Sequence, residues 1–134
     1  MTNIPYLSTI EAPEEEPVTL EETKLFIRVD HDDDDELIEH LIKTARQSAE
    51  EYLGKSIITQ TLQMQFDYYA PSEVNLLRGP VQEIAAVIII SADFSESTLS
   101  ASAYHLSAGN RHLIFNAAPM GQIIQVQYVA GYGE

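Results

Sequence analysis

The run from Asp30 to Glu36, DHDDDDE, is the densest group of metal-ligating side chains in the sequence. Carboxylates two residues apart are the ligand pattern of a calcium loop. An EF-hand loop begun at Asp30 carries acids at positions one, three and five through Asp32 and Asp34. Position six, which needs glycine for the sharp turn, is Asp35, and position twelve, which needs a bidentate glutamate, is Leu41. A start at Asp32 puts Leu37 and Lys43 at those places. The run reads as a solvated acidic cap with loose affinity for cations, and no metal or cofactor is assigned to it.

Other chemistry is equally poorly supported. His31, His40, His105 and His112 form no zinc spacing, and the chain has no cysteine to complete one. No serine stands in a G-x-S-x-G turn, and there is neither a glycine-rich phosphate loop nor a dinucleotide fingerprint. No catalytic residue is nominated and an enzyme is not expected. The surviving enzymatic reading is a small metal-dependent hydrolase built on Asp32 to Asp35.

The charge balance says more. Against 21 acidic residues stand 7 basic ones, for a net charge of −14. Affinity for nucleic acid is mostly phosphate neutralisation by Lys and Arg, so the chain is poorly suited to holding DNA. The excess acid is a solubility device or, in a sharper reading, an anionic wall past which DNA slides without sticking. With 45% apolar and 21% charged residues, 134 residues suffice for one domain with a real core. The apolar run at Ala85 to Ile90 is far short of a membrane span. The start of the chain has neither the basic residues nor the apolar stretch of a signal peptide. The expected setting is the cytoplasm, or a particle assembled there, without membrane contact.

The elements that would position these side chains can be read from period and punctuation. Residues 1–17, with three prolines and Glu14-Glu15-Glu16, predict an extended or mobile acidic arm, in which Tyr6, Leu7 and Ile10 could dock on a neighbouring subunit. Residues 18–134 read as a single domain. A short helix over about 19–28 opens with a Thr19/Glu22 capping box and buries Leu20, Leu25, Phe26 and Ile27. The acids then interrupt it. A long amphipathic helix follows over about 33–53, with Asp32 or Asp33 as N-cap and Gly54 as stop. Its apolar arc holds Leu37, Leu41, Ala45, Ser48 and Tyr52, flanked by Ile38, Ile42, Ala49 and Leu53. Glu39 and Lys43 are spaced for an i,i+4 pair.

From about residue 57 the period is two. Ile58 to Phe66 predicts a half-buried strand, and Val74 to Leu77 a short one. Glu83 to Ser91 is apolar enough for both faces to be covered, and Asp93 to Ser102 is a polar loop. Tyr104 to Ser107 and Arg111 to Phe115 form a hairpin around Gly109-Asn110 that pairs Leu106 with Leu113 and Tyr104 with Phe115. Ile123 to Val129 is a last strand. The predicted class is α+β: two N-terminal helices, the second long and amphipathic, packed with antiparallel strands and hairpins, plus the arm.

The order of these segments resembles the head-tail connector (adaptor) proteins of tailed phages and of phage-derived gene transfer agents. The resemblance runs through Lys24 to Asp30, KLFIRVD, the acidic stretch Asp32 to Glu36, and Leu37-Ile38 opening a long helix. That helix closes through Glu50, Tyr52, Gly54 and Lys55 before Ile57 to Thr61, IITQT. Leu77 to Val81, LRGPV, and Tyr128 to Gly133, YVAGYG, match later family elements. Many relatives continue past that last signature into further helices, whereas this sequence stops at Glu134.

The resemblance implies a structural subunit that forms a twelvefold ring under the portal at the capsid vertex. Its partners would be other copies of itself, the portal protein, and a tail-side stopper or tail terminator, with DNA passing through unbound, in the virion. The subunit and partner interface would draw on the arm residues Tyr6, Leu7 and Ile10 and on Lys43, Arg46 and Glu50 of the long helix. Asp32, Asp33, Asp34 and Asp35 would line the channel or remain a solvated cap. The rival binding reading is an acidic DNA mimic or inhibitor that occupies a basic cleft.

Overall fold

The computed structural model describes residues 4–133, so residues 1–3 of the expected arm and Glu134 lie outside it. Its elements are β1 (Tyr6–Glu11), α1 (Leu20–Ile27), α2 (Asp35–Leu53), β2 (Gln60–Tyr69), β3 (Glu73–Asn75) and β4 (Val81–Ile90). They continue as β5 (Glu96–Thr98), a 3-10 turn (Ala101–Ala103), β6 (Tyr104–Leu106), β7 (His112–Phe115) and β8 (Met120–Ala130). The protein is α+β as its periodicities require, with every strand pair antiparallel.

Five strands form one sheet in the order β1-β2-β8-β4-β5, and three form a second in the order β3-β7-β6. Alternation fixes which face each residue serves. Leu62 lies opposite Tyr128, Met64 opposite Val126 and Phe66 opposite Ile124. All six are buried and join Val87, Val74, Leu113 and Phe115 in one core drawn from both sheets. On the other face of the large sheet Gln127 donates to Gln63 at 3.0 Å and Gln125 to Gln65 at 3.2 Å, a short ladder of amides. The predicted hairpin register is present, with Tyr104 opposite Phe115 and Leu106 opposite Leu113. The two rings meet edge to face at 6.2 Å.

Several sequence expectations change. The segment over Tyr6–Glu11 is a strand paired with β2. The polar stretch Asp93 to Ser102 contains β5. β4 is fully buried only on its core face, at Val81 and Val87. Ile88 stands beside Gln125 and Ile90 beside Ile123, both half-buried, and Ala85 is exposed. Two register shifts in β4 let a nearly continuous apolar run serve two unlike faces.

The helices depart furthest from expectation. The core of the sheets contains no residue of α1 or α2. The inward stripe of α2 is Ile38, Ile42, Arg46 and Glu50, spaced by four. Of the predicted arc, Ile38 and Ile42 are buried and Ala49 is half-buried, while Leu37, Leu41, Ala45, Ser48, Tyr52 and Leu53 face solvent. In α1, Leu25 and Phe26 are likewise exposed. Periodicity located an apolar face, but the helix turns a neighbouring stripe inward because Arg46 and Glu50 are satisfied there.

Candidate assembly surfaces

The turn between the helices is held by one cation. Thr19 caps α1 by accepting from the Glu22 amide at 3.0 Å, and Arg28 closes the helix in the left-handed region at φ 61. Lys24 then reaches across the turn, its Nζ 2.8 Å from Asp32 and 2.7 Å from Asp35. Hydrogen bonding to Asp32 and then Asp35 holds the Lys24 ammonium above its ordinary range. Hydrogen bonding to Lys24 holds the Asp32 carboxyl below its own. The N-cap of α2 is Asp34, one residue past the expected Asp32 or Asp33, and it makes no side-chain capping bond. Asp32 and Asp33 project into solvent, their side chains 90% and 92% exposed. The acidic cap is thus one anchored turn with solvent-exposed carboxylates at its rim.

Next to it lies an apolar face that this chain does not cover. Leu25 and Phe26 are 82% and 88% exposed, Leu37 and Leu41 each 57%, and Tyr52 91%. On α2, Leu37, Leu41 and Tyr52 fall in one helical stripe, and large apolar residues so aligned and bare to water mark an interaction surface rather than ordinary scatter.

The other end of α2 carries a buried polar hub. The Arg46 and Glu50 side chains are 3% and 1% exposed, and Arg46 Nη1 lies 2.6 Å from Glu50 Oε1. Arg46 also clamps Glu16, through Nε at 2.6 Å and Nη2 at 3.3 Å, a forked geometry that suits guanidinium and carboxylate. Glu50 Oε2 accepts from the Ile57 amide at 2.8 Å and from Gln60 Nε2 at 2.6 Å. Arg78 stands 3.8 Å from its other oxygen. Burial alone would lower the Arg46 pKa, but the bonds to Glu16 and Glu50 outweigh it and hold the guanidinium charged. The hub ties the end of the arm, α2, β2 and the approach to β4 together by charge where no shared apolar core does.

The nominated interface residues therefore separate. Arg46 and Glu50 are buried within their own chain. Lys43 is exposed and, among the described residues, forms no ion pair, so the predicted Glu39–Lys43 pair is absent. Leu7 packs on the chain's own core, whereas Tyr6 and Ile10 are exposed. Glu16, Gln60 and Arg78 were not singled out from sequence. The available signal was the i,i+4 step from Ile42 to Arg46 to Glu50, which puts two opposite charges on the inward stripe and demands further partners.

The terminal YVAGYG segment has a geometric role. Gly131 sits at φ +133, and a Cβ there would lie 2.6 Å from the carbonyl carbon of Ile58 and the amide of Thr59. The Thr59 amide donates to Gly133 O at 3.0 Å, and that of Tyr132 to Ile57 O at 3.3 Å. The segment closes against the chain leaving α2, where only glycine permits the approach.

Comparison with known proteins agrees with this architecture. Residues 17–112 match the family model described as phage gp6-like head-tail connector protein. No curated protein matches the sequence. Among solved structures, a chain from the neck of an empty gene transfer agent particle with C6 symmetry superposes with a TM-score of 0.78 at 18% identity, covering 96% of this chain and 72% of that one. A chain from the virion of a native gene transfer agent particle gives 0.75 at 19% identity, covering 95% and 72%. A chain from a native neck with C12 symmetry gives 0.64 at 18%, covering 96% and 70%. At these identities the structures establish the shared fold, while the family match spans most of the sequence. This chain belongs to the phage gp6-like head-tail connector protein family.

Proposed function

We propose that the chain is a ring-forming adaptor subunit of a virion neck, joining a portal above to a tail-side stopper or terminator below. The observation that carries this reading is the uncovered apolar stripe of Leu37, Leu41 and Tyr52 on α2, with Leu25 and Phe26 also bare on α1, on a member of a connector family. In a ring, that face meets a different face of the next copy, a heterologous contact that closes by rotation. Chains of similar fold occur in necks with sixfold and twelvefold symmetry, which supports closure. The rim of Asp32, Asp33 and Asp34 beside that face turns toward the channel, and each copy adds −14 formal charges to the assembly. DNA then passes a repulsive surface instead of adhering to it.

Native mass spectrometry of the purified chain, alone and with its portal protein, tests the reading. The expected result is a discrete ring, free or formed on the portal, that is lost when Leu37 and Leu41 are both changed to serine. A chain that stays monomeric with the portal present overturns it.

A further inference from the structure

Resting on the ring reading above, we propose that β1 is exchanged between neighbouring copies of this chain, so that each copy's Tyr6–Glu11 pairs with β2 of the next.

Three features point to it. First, little holds β1 at home. It is an edge strand bonded only to β2, and Leu7 is its one side chain packed on the core, while Tyr6 and Ile10 are exposed. The β2 of an identical neighbour offers the same acceptors in the same register, so exchange regains every ladder bond. What remains is the loss of intramolecular proximity, which a closed ring replaces by holding the neighbour's β2 close.

Second, the hinge is short and pinned. Arg46 grips Glu16, leaving only Ala12, Pro13, Glu14 and Glu15 to turn the chain back onto its own sheet. Proline fixes its own φ and biases the residue before it toward extended backbone. Short hinges of this kind favour exchange over closure. Third, the closed hinge crowds like charges. Glu11, Glu14 and Glu15 line one cleft of about 430 Å³ beside Ile58 to Thr61, and no basic residue lines it. Extending residues 12–15 moves Glu14 and Glu15 away from Glu11 and lowers that repulsion.

The pin also sets the geometry. From Glu16 back to Glu11 an extended chain spans at most roughly 17 Å, so the acceptor β2 must lie within that reach of the donor's Arg46.

The chain has no cysteine, which makes cross-linking clean. Ser8 and Gln63 are direct partners across β1 and β2, close enough for a disulfide. Full-length Ser8→Cys and Gln63→Cys chains, each carrying one substitution, are mixed, assembled with the portal, oxidised and run denatured without reductant. Exchange predicts covalent pairs joining one variant to the other. The doubly substituted chain is expected to give a ladder of multimers when assembled and only internally linked monomer when dilute. Rings whose doubly substituted chains remain monomeric on the denaturing gel overturn exchange and leave the connector reading intact. Wild-type chains that form no assembly overturn both.

Discussion

Replacing Arg46 with methionine leaves Glu50, 1% exposed, as a buried carboxylate stripped of its closest cation, with only Arg78 at 3.8 Å. That loss costs about 3–5 kcal/mol and should appear as a lower urea midpoint. Adding Glu50→Gln removes the stranded charge and should restore part of the stability. Tyr128 is the second informative side chain, its hydroxyl donating to Leu77 O at 2.6 Å. Burial raises its pKa above the ordinary 10.0, opposed in part by Arg78. The native state thus keeps a proton that the unfolded chain gives up, so this contribution is complete below pH 10 and falls as pH rises beyond it. Tyr128→Phe should cost about 1 kcal/mol at pH 7 and flatten the alkaline limb of a stability–pH curve between pH 10 and 11. Neither role could be read from the sequence. Arg46 and Glu50 show as an i,i+4 pair, but Glu16 is 30 positions from Arg46 and Leu77 is 51 from Tyr128, and no local rule links residues that far apart.

At the scale of elements, a core leucine and a bare one can be compared directly. Leu62, 2% exposed in β2, should cost about 2–5 kcal/mol on truncation to alanine. Leu41, 57% exposed in α2, should shift the same denaturation curve by less than about 0.5 kcal/mol while weakening assembly in native mass spectrometry. Equal losses of stability would mean that α2 buries Leu41 in the isolated chain. The strands were legible because alternation at Leu62, Met64 and Phe66 decides a face outright, and Leu106 with Leu113 decides a register. The orientation of α2 was not legible. Its apolar residues span two adjacent stripes, one meeting α1 and the hub and the other left bare, and hydrophobicity is the same for an intramolecular and an intermolecular partner.

For the whole molecule, the acidic excess is tested through DNA. The wild-type assembly should not retard duplex DNA on a native gel at about 0.1 M salt, where screening still permits repulsion at short range. Changing Asp33 and Asp34 to lysine reverses two charges per copy without touching the partners of Lys24, and should produce salt-sensitive retardation if these acids face the channel. The sequence by itself determined the α+β class, the two helices, most strands, the hairpin register and the acidic net charge, because each follows from period, punctuation or charge along the chain. Only the tertiary structure decided that the sheets form their core without the helices, that Arg46 and Glu50 turn inward, and that Leu25, Phe26, Leu37 and Leu41 stay bare. Those outcomes depend on which distant groups meet a buried charge, and spacing along the chain carries no record of that meeting.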